Sequence, residues 1–179
     1  MPAATDEANL RLAISMDVNS ARYIIWDAET DTSTGVHLPN LIVVEVLEVD
    51  GDNDYIKSMK SRKIFRSYDC LRLFCEWLFT EENEGSIVIA HNGGGYDHKF
   101  VLKYALERLL PPTTYICQGS HITYMRFRKF NLQFKDSWIF SNRNCRLCLR
   151  PTISILSRVT SPIISILLRI RIILVLFLK

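Results

Sequence analysis

Acidic residues are missing from the last quarter of this 179-residue chain, with none after Asp136. The stretch 151–179 also lacks Asn, Gln, Gly and His, and 14 of its 29 residues are Ile or Leu. That excludes a solvated polar tail and sets the residues from about 143 onward apart from those before them. Cysteines number five, an odd count with no paired spacing plan. A disulfide framework is therefore not expected, and reduced thiols in an intracellular setting are. Cys145 and Cys148 form a CxxC, but no second CxxC or His pair completes a zinc site. The first twenty residues contain Asp6, Glu7 and Asp17 and no unbroken apolar run, so residues 1–21 read as a polar leader and not as a secretory signal. There are no internal repeats, which excludes a solenoid. An evenly basic surface is also missing. Residues 1–136 carry 15 Lys and Arg against 19 Asp and Glu, a charge of −4, whereas residues 137–179 carry seven cations and no acid, giving the net +3. The basic character belongs to the tail, so the usual electrostatic footprint of a nucleic-acid binder is not present.

What is there reads as a globular domain with alternating strands and helices. Tyr23 to Thr30 is a buried strand ending in acids, and Leu41 to Leu47 is a second strand rich in β-branched residues. Asp50 to Asp54 is a turn. Ser67 to Phe79 is the clearest helix, since Leu71, Phe74, Cys75, Leu78 and Phe79 recur at helical spacing and Ser67 or Asp69 can cap its start. Ser86 to Ala90 is a short strand. The loop from His91 to Tyr96 holds three glycines and leads into a helix from about Asp97 to Leu110, which Pro111 and Pro112 stop. Ile122–Phe127 and Leu132–Lys135 are two more strands around the turn 128–131. This order predicts an α/β domain on a mixed sheet.

Two features carry chemistry. Asp27 and Glu29 are two apart on a strand, so their side chains share a face and are able to hold a divalent cation. A solvated strand end would look the same. Asp97 follows a strand and a glycine-rich loop and starts a helix; glycines let a backbone turn sharply and approach a ligand closely. In that loop Asn92 would orient a nucleotide or pin the loop, and Tyr96 would pack or stack. An ordinary strand-to-helix connection with Asp97 as a helix cap is the bland alternative.

Together these segments resemble the 3′→5′ exonuclease domain of family B DNA polymerases. Asp27-Ala28-Glu29-Thr30 is similar to the first exonuclease motif, Asp-x-Glu-Thr, and His91 to Asp97 to the second, Asn-x(2–3)-Phe/Tyr-Asp. Phe74–Phe79, Ile89–Asn92, Tyr96-Asp97, Gln118-Gly119-Ser120 and Phe134–Ser137 occur in matching order, over roughly residues 22–140. The likeness is to the protein-primed subgroup of phages, linear plasmids, viruses and virus-like transposons. It implies a ribonuclease-H-like fold, incomplete at the C-terminus, and two-metal hydrolysis, with Mg²⁺ or Mn²⁺, of the 3′-terminal phosphodiester of single-stranded DNA. Asp27, Glu29 and Asp97 would be the carboxylate ligands. Thr30, Asn92 and Tyr96 would touch the terminal nucleotide. Ser137 matches a serine that contacts the strand, and Trp138 beside it would stack on a base or fill the core. A terminal-protein primer is implied by the subgroup alone.

The chain then departs from the pattern. The third exonuclease motif, Tyr-x3-Asp, is missing after the second, and the polymerase motifs, Ser-Leu-Tyr-Pro and Asp-Thr-Asp, are absent. The expectation is a polymerase fragment, residues 22–142 forming a truncated exonuclease domain that is inactive alone. A free-standing exonuclease of the same fold is the alternative; such enzymes often use a His-x4-Asp motif, and none of the four histidines has an Asp at that spacing. A membrane-anchored remnant without enzymatic activity is the third reading. Thirteen Ile, Leu, Val or Phe between Ile163 and Leu178 favour insertion by about 4–8 kcal/mol, whereas Arg169 and Arg171 oppose it by about 5–7 kcal/mol. Membrane association of the tail therefore stays open. With no amphipathic period visible, residues 143–179 read as appended, non-native sequence, and deleting them is expected to leave the domain folded.

Overall fold

The sheet grows from one long apolar strand. β1 (Arg22–Asp31) is the expected buried strand, with Tyr23 to Asp27 all buried. β2 (Leu38–Val49) returns antiparallel beside it, Ile25 opposite Glu45 and Trp26 opposite Val44. The computed structural model describes residues 22–49 and 56–137; the leader, the 50–54 turn, Trp138, the CxxC pair and the 143–179 segment lie outside the described residues. β3 (Ile56–Arg66) pairs antiparallel with β2 as an outer strand. The first helix, α1 (Cys70–Leu78), buries Cys70, Phe74, Cys75 and Leu78. Its start is not capped as the sequence suggests. Asp69 makes no capping bond, because Arg72 takes its carboxylate, and Ser67 Oγ accepts only the Asp69 N–H.

β4 (Ile87–Ala90) then runs parallel to β1, and α2 (Asp97–Glu107) packs beside α1. β5 (Thr114–Gln118) and β6 (His121–Phe127) form a hairpin whose two-residue turn opens on Gly119 at φ 59, a left-handed value that favours glycine. β7 (Leu132–Asp136) pairs antiparallel with β6 and parallel with β4. The order is β3-β2-β1-β4-β7-β6-β5, a seven-stranded mixed sheet flanked by helices. This is the expected α/β class, compatible with a ribonuclease-H-like sheet.

One core organises the described residues. Ile24, Trp26, Ile42, Val44, Val46, Val88, Ala90 and Phe134 meet the buried faces of α1 and α2. Trp26 stacks on Phe74 with ring centroids 4.6 Å apart. These sheet residues alternate along their strands, so both helices cover the same face. Among the described residues no helix is long and apolar enough to cross a membrane.

Candidate functional site

The carboxyl ends of the parallel strands β1 and β4 converge where the chain turns into α2, and a cleft of about 220 Å³ opens there. Asp27, Ala28, Thr30, His91, Asn92, Tyr96 and Asp97 are among its lining residues. Asp27 comes from the buried part of β1 and Thr30 from its end. The other polar residues come from the loop after β4 and the first turn of α2. Two segments some 70 residues apart in sequence are thus brought together by strand pairing.

The loop is threaded tightly against the sheet. A Cβ on Gly93 would stand 2.6 Å from Ala90 Cβ and 3.0 Å from His98 Nε2. One on Gly94 would collide with the Ile122 carbonyl oxygen and lie 2.9 Å from both Ile122 N and Asp136 Oδ2. The Gly94 N–H donates to Asp136 Oδ2 at 3.0 Å, and the Ile122 N–H donates to Gly94 O at 3.2 Å. The glycines therefore allow close approach to the protein's own strands β6 and β7. None of the three has positive φ; the left-handed residue of the loop is Asn92, at φ 57.

Asp97 is buried at the first turn of α2, and its carboxyl is held well above the usual range. Burial is the main cause, followed by the negative field of Asp27 and, more weakly, of Asp136; the Ala28 backbone N–H opposes the shift. Asp27 and Asp97 thus share a cleft and feel one another's charge. Glu29 sits half-buried at the end of β1, beside a register shift after it, and is not among the cleft residues. Asp136, a residue to which the sequence reading gave no role, is buried and anchors the loop. Its only sequence signal was its place in the ordered segment Phe134–Ser137.

The remaining expected contacts fall as follows. Tyr96 is exposed and its ring leans on His37, with centroids 4.7 Å apart; Thr30 Oγ1 meets His37 Nδ1 at 3.4 Å. Asn92 Oδ1 accepts from His121 Nε2 at 3.0 Å. Ser137 is buried, hydrogen-bonded through Oγ to His91 Nδ1 at 2.8 Å. It positions His91 and does not line the cleft. A second cavity of about 460 Å³ adjoins the first, sharing His37, Asn92, Tyr96 and Phe100 with it and adding Lys99, Ser120 and His121. His37 and His121, to which the sequence assigns no role, therefore flank the expected nucleotide contacts.

Two adjacent carboxylates in a concave site suit a hard cation that keeps several of its waters, which describes Mg²⁺ or Mn²⁺. Asp27 and Asp97 fit that donor set. Among the described residues no group of three or more His, Cys, Asp or Glu is placed to enclose a metal ion, so the protein would supply part of the coordination shell. Comparison with known protein families, characterised proteins and solved structures returns no match for this chain.

Proposed function

We propose that this domain hydrolyses the 3′-terminal phosphodiester of single-stranded DNA, and that it represents the exonuclease part of a DNA polymerase without the polymerase site. The observation that carries the reading is the pairing of Asp27 with Asp97 in a cleft rimmed by Thr30, Asn92 and Tyr96. A metal held there would supply a Lewis acid and a more acidic bound water. Asp27 and Asp97 would ligate it; Glu29, the third expected carboxylate, lies outside the cleft lining. Tyr96 and Asn92 offer a ring face and an amide to the terminal nucleotide, the combination that grips an unpaired base. Asp136 keeps the loop in place. Hydrolysis adds water across the P–O3′ bond, releasing a 5′-mononucleotide and a new 3′-hydroxyl.

The reading predicts Mn²⁺ binding that Asp27→Asn and Asp97→Asn each abolish, oligothymidylate binding weakened about tenfold by Tyr96→Ala, and slow release of mononucleotides lost in Asp97→Asn. A chain that releases none, and whose Mn²⁺ binding is unchanged in both Asn variants, overturns it. Slow turnover is expected because the third motif is missing and metal geometry depends on ligand number and support. A chimera carrying a Tyr-x3-Asp helix should be faster by orders of magnitude.

A further inference from the structure

The two adjoining cavities differ in charge. The cleft of about 220 Å³ holds Asp27 and Asp97, whereas no acid lines the cavity of about 460 Å³ beside it. His37 and Tyr96, whose rings lean on one another, belong to both linings, as does Phe100. His121 and Lys99 line the second cavity alone. Its volume falls in the roughly 300–1,000 Å³ range of small-molecule sites, which the first cleft does not reach.

Lys99 is the one Lys, Arg, Asp or Glu in that second lining. It stands exposed on the first turn of α2 and makes no ion pair among the described residues. The other ionisable groups on the surrounding elements are engaged or lie elsewhere. Lys103, one turn further along α2, reaches Glu107 at 4.0 Å. His98 is buried in the core, and Asp136 is taken by the Gly94 N–H. Asp31 accepts from Tyr68 Oη and from the Ser33 N–H, and Glu29 lines neither cavity. On β6, Arg126 donates to Asn131. Two carboxylates in one cavity and an ammonium in the next suit a ligand with one phosphate on a metal and a second phosphate beyond it. The aromatic side chains between them are the kind on which unpaired bases stack. A dinucleotide unit of a single strand has these parts in this order.

We propose that the second cavity is the subsite for the nucleotide next to the 3′-terminal one, with its base on the aromatic lining and its 5′-phosphate on Lys99. This rests on the reading of the cleft as the place of a metal-bound scissile phosphate. A mononucleotide engages the cleft only, so the smallest ligand that uses both cavities is a dinucleotide carrying a 5′-phosphate.

The test is calorimetric titration of the full chain in Mn²⁺ with thymidine 5′-monophosphate, TpT and pTpT. The 5′-phosphate of pTpT is expected to tighten binding about threefold to fivefold over TpT, the range of an exposed ion pair, and the gain should shrink as salt rises. Lys99→Gln should erase that gain and leave the binding of Mn²⁺ and of thymidine 5′-monophosphate unchanged. A pTpT analogue whose 5′ nucleoside lacks its base should bind about fivefold or more weakly. Equal binding of TpT and pTpT overturns the subsite. So does a gain that survives Lys99→Gln, which would come from the seven cations of residues 137–179, and so does an abasic analogue that binds as well as pTpT. In each of these cases loss of Mn²⁺ binding in Asp27→Asn and Asp97→Asn leaves the cleft reading standing. A Lys99-dependent gain without any Mn²⁺ binding does the reverse: it keeps the subsite and removes the metal from the cleft. Absence of binding by every ligand overturns both.

Discussion

Gly94→Ala is the sharpest single perturbation of the site, because one methyl group meets only main chain and a buried carboxylate. The added Cβ would collide with the Ile122 carbonyl oxygen and crowd Ile122 N and Asp136 Oδ2 at 2.9 Å each. β6 cannot retreat, since it is paired with β5 on one side and β7 on the other. The loop must move, and two hydrogen bonds go with it: Gly94 N–H to Asp136 and Ile122 N–H to Gly94 O. Overpacking costs about 1–3 kcal/mol, and the two bonds about 2–3 kcal/mol more, one of them having a carboxylate acceptor. The expected loss is about 3–6 kcal/mol, a large share of a typical domain's stability. Gly95→Ala is the internal control: its nearest atom is Asn92 O at 3.3 Å, so the neighbour gives by a few tenths of an ångström and the cost stays under about 1 kcal/mol. Urea unfolding followed by circular dichroism, with a common slope for the three proteins, measures both. Below the transition, Gly94→Ala should also weaken oligothymidylate binding, because the same loop carries Asn92, Tyr96 and Asp97. If Gly94→Ala stays within about 0.5 kcal/mol of wild type, or Gly95→Ala costs as much, the loop is not wedged against β6 and the argument fails.

His98 is fully buried between Trp26 and Phe134, and burial pushes its pKa down to about 4, against the weaker pull of Asp136. The unfolded chain takes up this proton as pH falls through about 6.5 and the folded one resists until about 4, so stability should drop by about 3 kcal/mol across that window and then level off; His98→Phe should flatten the acid limb in pH-dependent denaturation. Asp97 works in the opposite sense. Its raised carboxyl favours the neutral form, so the fold loses stability as pH rises above the ordinary carboxylate value. Asp97→Asn, which keeps an oxygen for the Ala28 N–H, should therefore melt higher than wild type at neutral pH while losing Mn²⁺ binding, as calorimetry and metal titration would show. Phe74→Ala should cost about 3–5 kcal/mol in a denaturant titration, because the ring is fully buried and stacked on Trp26; a loss under about 1 kcal/mol would mean the α1 face is not core.

Much of the fold was legible in the chain because its signals are local. β1, β2 and β4 each contain a run of apolar residues, Tyr23–Trp26, Leu41–Val44 and Ile87–Ala90, and α1 repeats its large side chains at helical spacing. β3 was not legible: Lys57-Ser58-Met59-Lys60-Ser61-Arg62-Lys63 reads as solvated surface, and only pairing with β2 makes it a strand. β5 was passed over for the same reason, an outer strand with Tyr115 exposed. Outer strands bury one edge and little side chain, so period and composition say little about them.

For the site, the sequence alone picked out Asp27, Asn92, Tyr96 and Asp97, because an acid ending a buried strand and a glycine loop opening a helix are local patterns. Only the tertiary structure decided which of the acids meet. Asp27 and Asp97 share a cleft, since parallel pairing of β1 with β4 puts both strand ends side by side. Glu29, two residues on, falls outside its lining, although Ala28 and Thr30 on either side of it belong to that lining. The roles of Asp136, Ser137, His37 and His121 depended wholly on distance across the sheet. A hydrogen bond from Gly94 to a carboxylate 42 residues away leaves no trace in spacing or composition.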